Sequence, residues 1–273
     1  MGCSGRRKGR ESERPMKTAA LIAITLAWPL AAQTPSPSAQ TASPAPAAPR
    51  TADGHPDLSG VWWRGADVGG RGFNAGGRGG GGAPTFASLY QASAAAKAKT
   101  LSDKDDPTLG CVPTAFGTLN VSMFDVGAVA QIVQTPKFVV MLTETFHGFQ
   151  IIPTDGRPHR DDVPPSYRGD AVGRWEGDTF VVDKTNFTDN TWISAEGRVS
   201  FHSDALHTME RYRRVDAKTL EIEATVEDPK VLSKPWVVAK QTLVLAPFDQ
   251  IMPLICTPGD TKELIDAAQS AQK

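Results

Sequence analysis

The chain has 273 residues, with 29 Lys and Arg against 30 Asp and Glu and a formal charge of −1. Six of the basic and two of the acidic residues fall within positions 1–33, so the rest carries 23 against 28 and is mildly acidic, near −5. With no basic excess, nothing supplies the phosphate neutralisation that dominates nucleic-acid binding, and that class of partner is set aside.

Met16-Lys17 precedes an apolar run from Ala19 to Leu30 and then Ala31-Ala32-Gln33. One basic residue, a short apolar core and small exit residues read as a signal peptide over residues 1–33, with Met16 as the true start. The run is shorter than the roughly 20 residues a membrane-crossing helix needs, and no later segment matches it, so the mature chain is expected to have no transmembrane span. The opening Met-Gly-Cys-Ser looks like an acylation signal, yet Cys3 precedes the apolar run whereas a bacterial lipoprotein cysteine follows it. Export to the periplasm or medium leaves Cys111 and Cys256. An even pair in an oxidising compartment predicts a disulfide, with two separate buried thiols as the alternative.

Residues 34–52 are mostly Pro, Ala, Ser and Thr, a composition that cannot bury enough apolar surface to offset chain entropy, and they read as a disordered tether. A single domain is expected over residues 53–260. Its opening strand is Asp57 to Arg64. The glycine run 69–82 lacks the defined spacing of a phosphate-binding loop and reads as a flexible connector. Phe86 to Ser102 predicts one surface helix, stopped near Asp105-Asp106-Pro107.

β-prone runs follow at Val129–Gln134, Phe138–Thr143, Phe149–Ile152, Ala171–Trp175, Thr179–Lys184, Val199–His202, Leu206–Val215, Leu220–Glu227 and Trp236–Leu245. Most joins are of hairpin length, and short joins link only antiparallel neighbours. A meander of about ten strands hides its edges best by closing on itself. In the strand at 220–227, Ile222, Ala224 and Val226 alternate with Glu221, Glu223 and Glu227, giving one buried face. Phe180-Val181-Val182 does not alternate, which predicts cover on both sides by the helix or a terminal segment. Residues 261–273 read as a short helical tail. The fold class is therefore mostly β, an antiparallel up-and-down meander closed into a barrel.

Gly60-Val61-Trp62 on a first strand, followed by such a meander, resembles the lipocalin superfamily. A longer block, Val172-Gly173-Arg174-Trp175-Glu176-Gly177-Asp178-Thr179-Phe180-Val181-Val182-Asp183, has Asp155-Gly156-Arg157 before it and Glu210-Arg211-Tyr212 after it. With the Asp57-Leu58-Ser59-Gly60-Val61-Trp62 opening, Cys111-x-Pro113 and a late cysteine, it is similar to a large family of exported bacterial proteins of unknown function, over roughly residues 57–258. The resemblance implies export and β architecture and no particular reaction. Three departures stand out: Gln150 where Arg is expected, Lys184 where Thr usually follows Val-Val-Asp, and the glycine run 69–82, which looks like an insertion. If that Arg holds an anionic ligand group in relatives, the same ligand is in doubt here.

Candidate site residues come from strand parity and composition. Glu210 and Tyr212 share a strand face with Leu206 and Thr208, so an inward Glu210 is expected, with Arg157 or Arg174 as its partner and Trp175 or Trp192 beside the same space. A structural ion pair closing one end of the barrel is the plain alternative. His202, Asp204, His207 and Glu210 lie within nine residues, but strand periodicity separates His207 from Glu210 and the spacing matches no zinc signature, so no metal is expected and a hairpin with capped turns and exposed histidines is. The loop with His159, and Tyr167 after it, suits the rim of a site. The Trp175-to-Asp178 turn reads first as structure, with Gly177 at positive φ and Asp178 accepting backbone N–H groups. The usual hydrolase signatures are missing, and no motif calls for a cofactor.

The reading is an exported lipocalin-like protein that binds a small, partly apolar or aromatic molecule in the barrel mouth through Arg157, Arg174, Trp175, Trp192, Tyr167 and Tyr212. The alternatives are a barrel-cavity enzyme (lyase, isomerase or hydrolase) using Glu210 with His202 or His159, and a structural or interaction module of the cell envelope. The sequence leaves the oligomeric state open.

Overall fold

The structure, a computed structural model, describes residues 46–63, 65, 84–115, 129–144, 148–193, 199–252, 256–257 and 259, all within one compact unit, Pro44–Lys273. The expected signal peptide, glycine connector and C-terminal tail lie outside the described residues, as does the tether up to residue 45. The end of that tether is not loose. The Ala217 amide donates to the Pro46 carbonyl at 2.8 Å and Arg50 pairs with Asp178 at 2.7 Å, so the folded part reaches back to Pro46.

Nine strands are described: β1 (Gly60–Trp63), β2 (Ala130–Gln134), β3 (Phe138–Thr143), β4 (Gly148–Pro153), β5 (Asp170–Glu176), β6 (Thr179–Thr185), β7 (His207–Arg214), β8 (Thr219–Glu227) and β9 (Trp236–Leu245). They lie in the order β4-β3-β2-β1-β9-β8-β7-β6-β5, every ladder antiparallel. The sheet curls into a nearly closed barrel. A ring with an odd number of strands cannot be antiparallel at every neighbour, and the pair left over is β4 and β5, which run the same way. Parallel neighbours need a crossover of a dozen residues or more. Residues 154–169 supply it and fill the seam: Gly156 N–H donates to the Gly173 carbonyl at 2.9 Å and Gln150 Nε2 to the Arg168 carbonyl at 3.1 Å. Gly173 is required here, because a Cβ would stand 2.4 Å from the Phe180 ring and 2.9 Å from the Pro153 carbonyl.

Two expected elements differ. Val199–His202 is no strand; only an isolated bridge joins Phe201 to Trp192. The helix expected over 86–102 splits into a 3-10 turn (Phe86–Leu89) and α1 (Ala92–Ala98), since Tyr90 bridges to Leu232 and the Gln91 amide donates to the Val231 carbonyl. Tertiary hydrogen bonds outweigh the modest local helix propensity at that point. Nor is it a purely surface element, since Phe86, Leu89 and Ala94 are buried.

The interior holds two apolar clusters. The base cluster includes Leu58, Trp62, Ile132, Met141, Ile152, Phe180, Val182, Tyr212, Ile222 and Leu243. Trp62 donates its indole N–H to the Leu58 carbonyl, and the Arg214 guanidinium stacks over its ring at 5.0 Å while donating to the carbonyls of Asp57 and Ser59, which closes that end. The upper cluster gathers Phe86, Leu89, Phe187, Trp192, Phe201, Leu206, Val226, Leu232 and Val238. Val181, on the outer face of β6, is fully buried, and it is flanked in register by Arg174 and Arg211, whose guanidiniums both reach Glu176.

The Cys111–Cys256 disulfide is formed, with Cα atoms 5.9 Å apart, and ties the chain after α1 to the chain after β9. Gly177 takes φ 60 in the β5–β6 turn, while the Asp178 carboxylate is engaged by Arg50.

Candidate functional site

β7 has reversed polarity for a barrel strand. Its buried residues are Thr208, Glu210, Tyr212 and Arg214, and its outward residues are the half-exposed Met209 and Arg211 and the exposed Arg213. Strand parity therefore carries a carboxylate into the interior, and β6 answers it. Phe180 and Val182 place Lys184 on the same inward face, in register with Thr208 and one step diagonal to Glu210. Lys184 Nζ lies 2.6 Å from Glu210 Oε1, and Tyr212 donates its hydroxyl to Glu210 Oε2. All three side chains are buried, between the two apolar clusters. Burial pushes the Lys184 ammonium below the ordinary lysine value, and the adjoining Glu210 charge opposes that.

Arg168, at the end of the seam crossover, joins this layer. Its Nη2 donates to Thr143 Oγ1 at 3.4 Å, its field acts on both Glu210 and Lys184, and burial pushes it down to about 10. Gln150 faces inward from β4 and is buried, so Gln150 and Lys184 both line the barrel interior.

The expected partners of Glu210 are elsewhere. Arg157 sits on an exposed turn and pairs with Asp155 at 2.7 Å. Arg174 points outward from β5, because it is one residue out of phase with the inward face, and pairs with Glu176 at 2.7 Å. Trp175 stacks on His55 at 4.4 Å, near Phe180. Trp192 is buried in the upper cluster, and Tyr167 is exposed. The partners that do meet Glu210 are Lys184 and Tyr212. A lysine two residues beyond Val182 in an apolar strand was the signal for it.

His202 is buried rather than exposed. Its ring lies edge-on to Phe187 with centroids 6.2 Å apart, Nδ1 is 2.9 Å from the Ser203 carbonyl, and burial holds it below the ordinary histidine value. His159 lies on the outside of the barrel, as does His207. His159 Nδ1 is 3.0 Å from Asp170 and its Nε2 3.0 Å from Asp183; His207 Nε2 is 2.9 Å from the same Asp183 oxygen and its Nδ1 3.2 Å from Glu227. Arg160 completes the chain on Asp170. Among the described residues, no group of three or more His, Cys, Asp or Glu has a geometry that could hold a metal ion. No described helix is long and apolar enough to cross a membrane.

The fold and this layer define a class, an antiparallel up-and-down barrel with a buried, hydrogen-bonded charge cluster across its middle. No protein-family model, curated protein or solved structure matches the chain.

Proposed function

We propose that the chain is an exported binding protein that holds a small, partly apolar molecule in the upper half of the barrel. The observation that carries this reading is the Lys184–Glu210–Tyr212 layer. Burying an ion pair is no economical way to stabilise a barrel, since apolar residues of similar volume often do as well or better. Binding sites, by contrast, combine apolar walls with a few fixed polar groups. Apolar side chains flank the layer on both sides, with Phe187, Leu206, Val226 and Val238 in the upper cluster. The disulfide supports an oxidising compartment. The enzyme alternative is less well supported, because both Glu210 oxygens are engaged, by Lys184 and Tyr212, whereas a general base needs one for its substrate. The test is a titration of the purified chain with 1-anilinonaphthalene-8-sulfonate, alongside native mass spectrometry for a copurifying molecule. Saturable one-to-one binding that alters in the Lys184→Met/Glu210→Leu double variant is expected. A folded protein that binds neither saturably, and carries nothing, would overturn the reading.

A further inference from the structure

Two buried polar atoms in the β6–β7 region, His202 Nε2 and Thr208 Oγ1, have no hydrogen-bond partner among the described residues. Their residues are 2 % and 0 % exposed. Both lie on the side of the charge layer away from the base. Thr208 is on the inward face of β7, two residues before Glu210, paired in register with Lys184 and Val226. His202 meets the edge of Phe187, a member of the upper cluster with Leu206 and Val226. Buried polar groups are almost always paired, so two orphans bordering one apolar cluster call for an explanation.

The chemistry of His202 limits what it can take. A carbonyl only accepts, so Nδ1, facing the Ser203 carbonyl, carries the ring proton. Burial keeps the ring neutral. Nε2 therefore presents a lone pair, and its missing partner is a hydrogen-bond donor. A carboxylate would bring one lone pair against another. Thr208, whose hydroxyl can rotate, can either donate or accept.

We propose that the ligand is a neutral alcohol or phenol, whose hydroxyl donates to His202 Nε2 and also engages Thr208, with its apolar body against Phe187, Leu206, Val226 and Val238. This rests on the binding-protein reading above and specifies its ligand. Sites built to pair one hydroxyl discriminate strongly against analogues lacking it.

The test uses three probes of one shape on the full chain: 2-naphthol, 2-methoxynaphthalene and 2-naphthoate. The expected result is 2-naphthol binding at least about tenfold more tightly than either of the others, a preference falling below about twofold in His202→Phe and reduced several-fold in Thr208→Val. A readout that needs no variant is the ¹⁵N signal of His202 Nε2, which should move on titration with 2-naphthol as that nitrogen accepts a hydrogen bond. If all three probes bind alike, or 2-naphthoate binds best, the hydroxyl assignment fails and the binding reading stands. An unmoved Nε2 signal at saturation, or a water that stays on Nε2 in the complex, overturns the assignment as well. If none of the three binds saturably, both readings fall.

Discussion

Lys184 and Glu210 stabilise each other only as a pair. Each has been taken out of water, and each is tolerated because the other, with the Tyr212 hydroxyl, replaces the lost solvation. Lys184→Met alone leaves the buried Glu210 carboxylate with the Tyr212 hydroxyl and the field of Arg168, without its hydrogen-bonded cation, and should cost about 3 to 5 kcal/mol, read as a lower urea midpoint. The Lys184→Met/Glu210→Leu double variant removes both charges and should recover most of that loss. Equal destabilisation by the single and double variants would mean that the two charges are not coupled. Arg214 illustrates a different solution to burial. Its guanidinium has no carboxylate within bonding distance among the described residues and is satisfied by backbone carbonyls, its stacking on Trp62 adding a cation–π contact at the closed end.

At the scale of elements, the weak point of the barrel is the β4–β5 seam. Every other pair of neighbours has a ladder of backbone hydrogen bonds; here residues 154–169 stand in for it. The crossover is fastened to the strands by Arg160 on Asp170 and by His159 between Asp170 and Asp183. Removing one fastening should loosen the segment without melting the sheet. His159→Phe is therefore expected to raise amide hydrogen exchange across 154–169 while the amides of β8 and β9 keep their protection, because local opening and global unfolding are separate equilibria. A uniform rise over all strands would assign His159 to global stability instead. The β7–β8 hairpin needs no such help: its short turn over residues 215–218 fixes register, and Ile222, Ala224 and Val226 alternate with outward or half-exposed glutamates.

At the scale of the whole molecule, the disulfide joins positions 145 residues apart and restrains the segment before β2 against the one after β9. In the chain-entropy model, closing so long a loop is worth on the order of 5 kcal/mol, and measured effects run smaller. A Cys111→Ser/Cys256→Ser variant should unfold at a lower urea midpoint with the far-ultraviolet spectrum of the native barrel unchanged at zero urea. Alkylation of the untreated protein should label neither cysteine; two labelled thiols before reduction would refute the bridge in solution.

The sequence by itself determined the β class, the meander, most strand positions and the cysteine pair. These follow from information local to the chain: a period of two in Ile222, Ala224 and Val226, tight turns such as Glu176-Gly177-Asp178, and the only two cysteines after Cys3. Parity within one strand also makes Glu210 inward, as found. Parity within one strand cannot say what faces it from another. The partner of Glu210 is Lys184 rather than Arg157 or Arg174 because the β6–β7 register sets Lys184 opposite Thr208, while Arg174 falls on the outer face. In the same way, docking of Tyr90 and Gln91 on residues 231–232 divided a segment whose local propensity is helical, and the odd strand count left a seam that only ring closure reveals. Those outcomes depend on which distant segments come into register, and that is decided by tertiary packing.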